Sequence, residues 1–226
     1  ARGEMTLRGL SRDSLDAFVG RGSTAAQLEL ALQQMQDGLH AAAERSLQQL
    51  ARAGSPQAAM QLADLLQGDG RLGEAVRWWL APAQQGRVDA MLKLAACYMQ
   101  SEGLRESGLG RSYKKAAAWL LRAFQSGSAE AAYQLYLLYR KPGYSMRNAG
   151  EAQRYLGLAA ERGYAHAQFA LAVRMLRGVC AREARIEAAI WLKRAADQGH
   201  SLAAQKLSTL VVRAPIDCRP GSRQRE

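Results

Sequence analysis

Catalysis needs titratable side chains that converge, and this chain offers few from which to build such a site. His40, His166 and His200 are far apart in sequence, each near an expected helix start or turn, and read as solvated or capping residues. No GxSxG elbow, no phosphate-binding glycine loop and no HxxxH pair is present. Carboxylates such as Glu29 and Asp37 fall on expected helices without a partner base and are given no acid–base role. Cys97, Cys180 and Cys218 lie 83 and 38 residues apart, with no CxxC and no neighbouring histidine, which is not a metal-ligand spacing. The expectation is a chain that is not an enzyme and carries no cofactor and no metal.

Binding chemistry is better represented. Lys and Arg number 31 against 20 Asp and Glu, a net charge of +11 carried mostly by arginine. Such an excess favours an acidic or phosphate-rich partner and gives fast, salt-sensitive association. Most of the arginines are dispersed and no nucleic-acid motif accompanies them, so a protein partner with an acidic surface is expected and nucleic acid is not. The longest apolar runs, such as residues 116–121, stop far short of the roughly 18 residues a membrane span needs. The chain does not begin with Met, which is compatible with a removed export signal and a membrane tether through it.

The elements that must position these side chains follow from a repeat. Gly22, Gly54, Gly86, Gly127, Gly163 and Gly199 are 32, 32, 41, 36 and 36 residues apart. Four residues after each stands Ala26, Ala58, Ala90, Ala131, Ala167 or Ala203, and eight after each stands Leu30, Leu62, Leu94, Leu135, Leu171 or Leu207. Eleven before the last five stand Ala43, Ala75, Ala116, Ala152 and Ala188. A period in the thirties with two helical phases per unit predicts an all-α solenoid of about six antiparallel helix pairs. Each glycine should stop one helix and turn the chain into the next, and the alanines should let paired helices approach closely.

The predicted helices cover 11–20, 23–36, 39–53, 55–67, 73–85, 87–100, 112–126, 128–140, 147–162, 164–177, 184–198 and 200–212. Residues 1–38 read as degenerate capping helices, 39–212 as the repeat array and 213–226 as a basic, mobile tail. Pro82, inside the expected 73–85 helix, predicts a kink or an early end there. Residues 101–112 form the longest internal loop, a contact loop or a tolerated insertion. Cys97 occupies a column of buried leucines and reads as a core residue. Cys180 and Cys218 each follow a second helix of neighbouring units, and in an oxidising compartment a disulfide between them would pin the tail.

Residues that depart from the repeat are the candidates for partner contact. Trp78, Trp119, Tyr155 and Trp191 share one column and read as core packing. Tyr133 and Tyr139 fall in apolar columns and read as structural, whereas Tyr136 replaces the small residue found at Ala63, Ala95, Ala172 and Ser208. A ring in that slot must push neighbours apart or project into a groove, which makes Tyr136 a binding candidate. Arg77 and Arg154 share one first-helix column, Arg122 and Arg194 another, and Lys193 is adjacent. These five would form either a basic stripe that docks an acidic surface or a solvated face.

The segments Glu187–Leu207, EAAIWLKRAADQGHSLAAQKL, and Glu151–Met175, EAQRYLGLAAERGYAHAQFALAVRM, closely resemble Sel-1-like repeats, relatives of tetratricopeptide repeats. The resemblance is strong over 112–212, fair over 39–100 and weak before that. It implies a right-handed superhelix of helix pairs whose concave face binds protein partners. It also implies a bacterial envelope or secreted setting, periplasmic or otherwise envelope-associated with the cytoplasm as the alternative, among exopolysaccharide-export, flagellar-motor, host-interaction and immunity proteins. The sharper expectation is an immunity protein that blocks a secreted toxin such as a type VI phospholipase effector. The alternative is an assembly or scaffold factor of an envelope machine.

Overall fold

The computed structural model describes residues 14, 15, 18, 19, 22–100, 112–144, 147–177 and 182–212. Most of the 101–112 loop, Cys180, Cys218 and the 213–226 tail lie outside the described residues, and with them the contact-loop and disulfide expectations. Eleven helices stand among the described residues, with no strand: α1 (Thr24–Gln36), α2 (His40–Arg52), α3 (Pro56–Gly68), α4 (Leu72–Gln84), α5 (Val88–Met99), α6 (Tyr113–Gln125), α7 (Ala129–Arg140), α8 (Ala149–Glu161), α9 (Ala165–Met175), α10 (Arg182–Asp197) and α11 (Ser201–Val212). The chain divides into two compact units, Ala1–Ser126 and Gly127–Glu226, at the glycine turn between α6 and α7. Within each unit every helix packs on the helices before and after it in sequence. That nearest-neighbour pattern is the mark of a repeat array.

The turns are built as the glycine column requires. Gly22, Gly54, Gly86, Gly127, Gly163 and Gly199 all have positive φ, between 79° and 95°. At the end of α4 the Gly86 N–H donates to the Ala83 carbonyl and the Arg87 N–H to the Pro82 carbonyl, both at 3.1 Å. This pair of bonds satisfies two carbonyls that a helix end leaves open, and only the left-handed residue at its centre allows it. After Gly54 and Gly127 the next helix is capped by the serine one residue later. Ser55 Oγ accepts from the Ala58 N–H at 3.3 Å and Ser128 Oγ from Ala131 at 3.1 Å, so the column alanine supplies the capped amide.

Those alanines are also the points of closest packing. Ala26, Ala58, Ala90, Ala131, Ala167 and Ala203 are fully buried, as are Ala43, Ala75, Ala116 and Ala188. Leu62, Leu94 and Leu135 of the leucine column are likewise fully buried, each contributing about 1.5–3 kcal/mol of transfer free energy. Leu30, Leu171 and Leu207 are only half-buried.

Two local expectations change. The helix containing Pro82 does not end early: α4 runs to Gln84, and Pro82 sits buried in its last turn. So close to the C-terminus the missing N–H forfeits one ladder bond without breaking the helix. The tryptophan column is not uniformly core. Tyr155 is buried, while Trp78, Trp119 and Trp191 are half-buried. The fully buried indole is Trp79, whose Nε1–H donates to Asp64 Oδ1 at 3.2 Å. Lys93 of α5 pairs with the same carboxylate, tying α3, α4 and α5 together.

Candidate functional site

The second unit contains an open groove of about 530 Å³ between α7, α8 and α9. Helical spacing assembles it. Tyr133, Tyr136 and Arg140 lie on one face of α7 at i, i+3 and i+7; Phe169, Val173, Arg174 and Arg177 come from α9 and the residues just after it. Alanines 149, 152 and 170 line it from α8 and α9, and their small side chains leave room for something else. No Asp or Glu lines this groove, while three arginines do.

Tyr136 is the anchor of the arrangement. Its ring is 8% exposed, and the Arg140 guanidinium lies 5.0 Å from the ring centroid. Arg140 also donates a hydrogen bond to Tyr136 Oη. The charge one turn along the helix is thereby held by both the face and the hydroxyl of a single ring. Having accepted from arginine, the phenol retains its own O–H as a donor with no acceptor among the described residues. Tyr133 packs beside it at a centroid distance of 5.7 Å and reaches Tyr164 at 5.3 Å. Burial pushes the Tyr133 phenol above its ordinary value, so this hydroxyl is a neutral donor at physiological pH. Arg174 and Arg177 are exposed, and among the described residues neither forms an ion pair. The groove thus offers cations and phenols to an anion, with apolar surface beside them.

The six residues picked from the sequence separate. Tyr136 lines the groove, and the five basic residues do not. Arg77 on α4 is exposed, and with Arg71 its charge helps hold the Glu74 carboxyl below the usual range, chiefly through the Arg71 hydrogen bond. Arg122 on α6 lies over the Trp119 ring at 4.9 Å, and Arg194 on α10 over Trp191 at 4.8 Å. Arg154 is exposed and 3.6 Å from Glu151 on the same helix. Lys193 is exposed. At Trp119 and Trp191 the i, i+3 arginine covers the part of the indole that is not buried: the guanidinium and its stem lie over one face and leave the charge in water.

Sequence reasoning missed Arg140, Arg174, Arg177 and Tyr133 as groove residues. A signal was present for Arg174, eleven residues after Gly163, in the column that holds Leu65, Cys97, Leu138 and Leu210 elsewhere. Gln168, five after the same glycine, departs from Ala59, Met91, Ala132 and Ala204 and is matched only by Gln27 of the first unit. It is the buried polar residue of the described core, and it is fully bonded: Nε2 donates to the Ala160 carbonyl at 3.2 Å and Oε1 accepts from Gln198 at 2.9 Å. That pairing fixes α9 between its neighbours.

The histidines also differ from expectation. His166 Nδ1 and His200 Nε2 meet at 3.0 Å, although 34 residues separate them. Stacking places residues one repeat apart side by side. The His200 Nδ1 accepts from the Ala203 N–H at 3.2 Å, so His200 caps α11 and, when neutral, must carry its proton on Nε2 and donate it to His166. Among the described residues no three His, Cys, Asp or Glu side chains gather as a metal site would require, and no helix is long and apolar enough to cross a membrane.

Comparison with known proteins points to the same fold. No protein-family model matches the chain, and no curated protein does. Among solved structures, a Sel1 repeat protein from Oxalobacter formigenes is similar over 94% of this chain and 86% of its own, at 22% identity and a TM-score of 0.66. The MamA protein is similar over 82% of this chain and 94% of its own, at 16% identity and a TM-score of 0.52. The fold is an all-α solenoid similar to that of the Sel1 repeat protein.

Proposed function

We propose that this chain is a non-catalytic protein-binding module that covers an acidic surface of its partner. The observation that carries the reading is the groove of the second unit, where Arg140, Arg174 and Arg177 converge beside Tyr136 with no acidic residue in the lining. The exposed Arg77, Arg122, Arg154, Lys193 and Arg194 add to a chain already at +11, and they would steer an acidic partner and make the complex sensitive to salt. A module of this kind acts through what it covers. The specific role we assign is immunity in a bacterial envelope, most naturally the periplasm: binding a secreted toxin, such as a phospholipase effector, and occluding its active or membrane-facing surface. A scaffold in polysaccharide export or the flagellar motor would use the same surface without inhibiting anything.

The test is a pull-down from the source cells at low and high salt, with Arg122→Glu, Arg154→Glu and Arg174→Glu compared with the parent. The partner's activity is then measured with the protein at saturation. We expect a partner that is released by salt and weakened by at least one reversal, and whose activity is lost in the complex. Retained activity at saturation would refute immunity in favour of a scaffold. Indifference of the complex to salt and to every reversal would refute docking through basic residues.

A further inference from the structure

The groove is more specific than a basic surface. We propose that it is a peptide subsite, which seats an acidic side chain of the partner next to an apolar one. The proposal rests on the protein-binding reading above and names the chemistry of that contact.

Four observations lead to it. First, the groove's three arginines have no acidic residue in the lining, so its charge is uncompensated where a ligand would sit. A guanidinium is a planar fork of donors that matches the two oxygens of a carboxylate. Second, Arg140 is held in place by Tyr136, so one of the three cations is already ordered and costs little further entropy on binding. Third, apart from Gln153 the rest of the lining is apolar and aromatic, from Tyr133, Phe169, Val173 and the alanines, and a bare anion would leave that surface unused. A volume of about 530 Å³ is of the size that holds a few side chains. Fourth, two of the lining residues break the chain's own repeat at facing positions. Tyr136 stands where other units have Ala63, Ala95 and Ala172, and Arg174 where they have Leu65, Cys97 and Leu138. In those units the residues are buried packing groups, with Leu65 6%, Cys97 3% and Leu138 1% exposed. The groove forgoes that burial on the wall from one repeat and gains a phenol on the wall from the repeat before it. Both substitutions replace packing with recognition chemistry, and they meet in the same groove.

The experiment uses the full chain and a rhodamine-labelled pentapeptide, Leu-Glu-Phe-Glu-Leu, blocked at both ends, read by fluorescence anisotropy at low salt. Its counterpart Leu-Gln-Phe-Gln-Leu and inorganic phosphate serve as unlabelled competitors. The variants return the groove to the chain's own repeat: Arg174→Leu and Tyr136→Ala. They restore residue types that fold at these positions in other units, and circular dichroism checks that they do so here. Arg52→Gln, an exposed arginine of α2 outside the groove, is the control. We expect Arg174→Leu to weaken the glutamate peptide by about tenfold or more, the scale of one lost charge-assisted hydrogen bond. Tyr136→Ala should weaken it as well, by releasing Arg140, whereas Arg52→Gln should leave it within about twofold. The glutamine peptide should compete at least about tenfold less well. Equal competition by the two peptides, or binding unchanged in Arg174→Leu, would overturn the proposal. So would phosphate competing better than the glutamate peptide, which would make the groove a phosphate site. If the peptide fails while a partner pulled down from cells still binds Arg174→Leu, the subsite falls and the protein-binding reading stands. If no partner is released by salt either, both fall.

Discussion

Gly86 and Gly157 offer the same open space to a methyl group and should respond to it with opposite signs. A Cβ added at either would meet no heavy atom within 4 Å, so packing is removed from the comparison. What differs is the backbone. Gly86 has φ +95°, closing α4, whereas Gly157 lies inside α8 without a positive φ. An L-residue in the left-handed region costs roughly 1–2 kcal/mol. Against that, Ala narrows the unfolded ensemble relative to Gly and returns about 0.4–1 kcal/mol. Gly86→Ala should therefore destabilise the protein by about 1 kcal/mol. Gly157→Ala should stabilise it by about 0.5–1 kcal/mol, because only the entropic and helix-propensity terms remain. Gly86→Asn should cost less than Gly86→Ala, since asparagine visits the left-handed region more readily. The assay is urea unfolding followed by far-ultraviolet circular dichroism, with the slope of each transition compared so that midpoints are read only where it is unchanged. If Gly86→Ala were as stable as the parent, or if asparagine proved the costlier residue, the turn would not depend on backbone conformation as argued here.

Two further outcomes follow from burial. Trp79 and Trp78 are adjacent, yet Trp79 is fully buried and bonded to Asp64 while Trp78 is half-buried; Trp79→Ala should cost about 3–5 kcal/mol and Trp78→Ala distinctly less, read by the same unfolding experiment. Cys97 is 3% exposed, and burial pushes its thiol up to about 11, overriding the opposing effect of Lys93. Its alkylation by iodoacetamide in the native protein at pH 8, followed by peptide mass mapping, should be at least about a hundredfold slower than in urea and should rise steeply with pH towards that value. Labelling at the unfolded rate would show that the side chain is not buried.

The sequence alone determined everything that depends on neighbours along the chain. The glycine period places the helix ends within a residue or two, because a left-handed turn residue and a cap one position later act locally. The alanine columns placed the buried seams, since a fixed helical period puts the same face inward in every unit. Tyr136 could be singled out for the same reason, as a ring in a column of methyl groups. The stacking of Arg122 on Trp119 and of Arg194 on Trp191 was legible too, from the i, i+3 spacing, but the indoles were read as core without it. What only the tertiary structure decided is which residues meet across helices. Arg174 is 38 positions from Tyr136, and His200 is 34 from His166, yet the first pair lines one groove and the second shares a hydrogen bond. A repeat specifies that helices pack on their neighbours, but the rotation of each helix about its axis sets which side chains face one another. That rotation depends on the fit of the buried residues, among them Gln168 bonded to Ala160 and Gln198, and it is fixed only when the helices are packed.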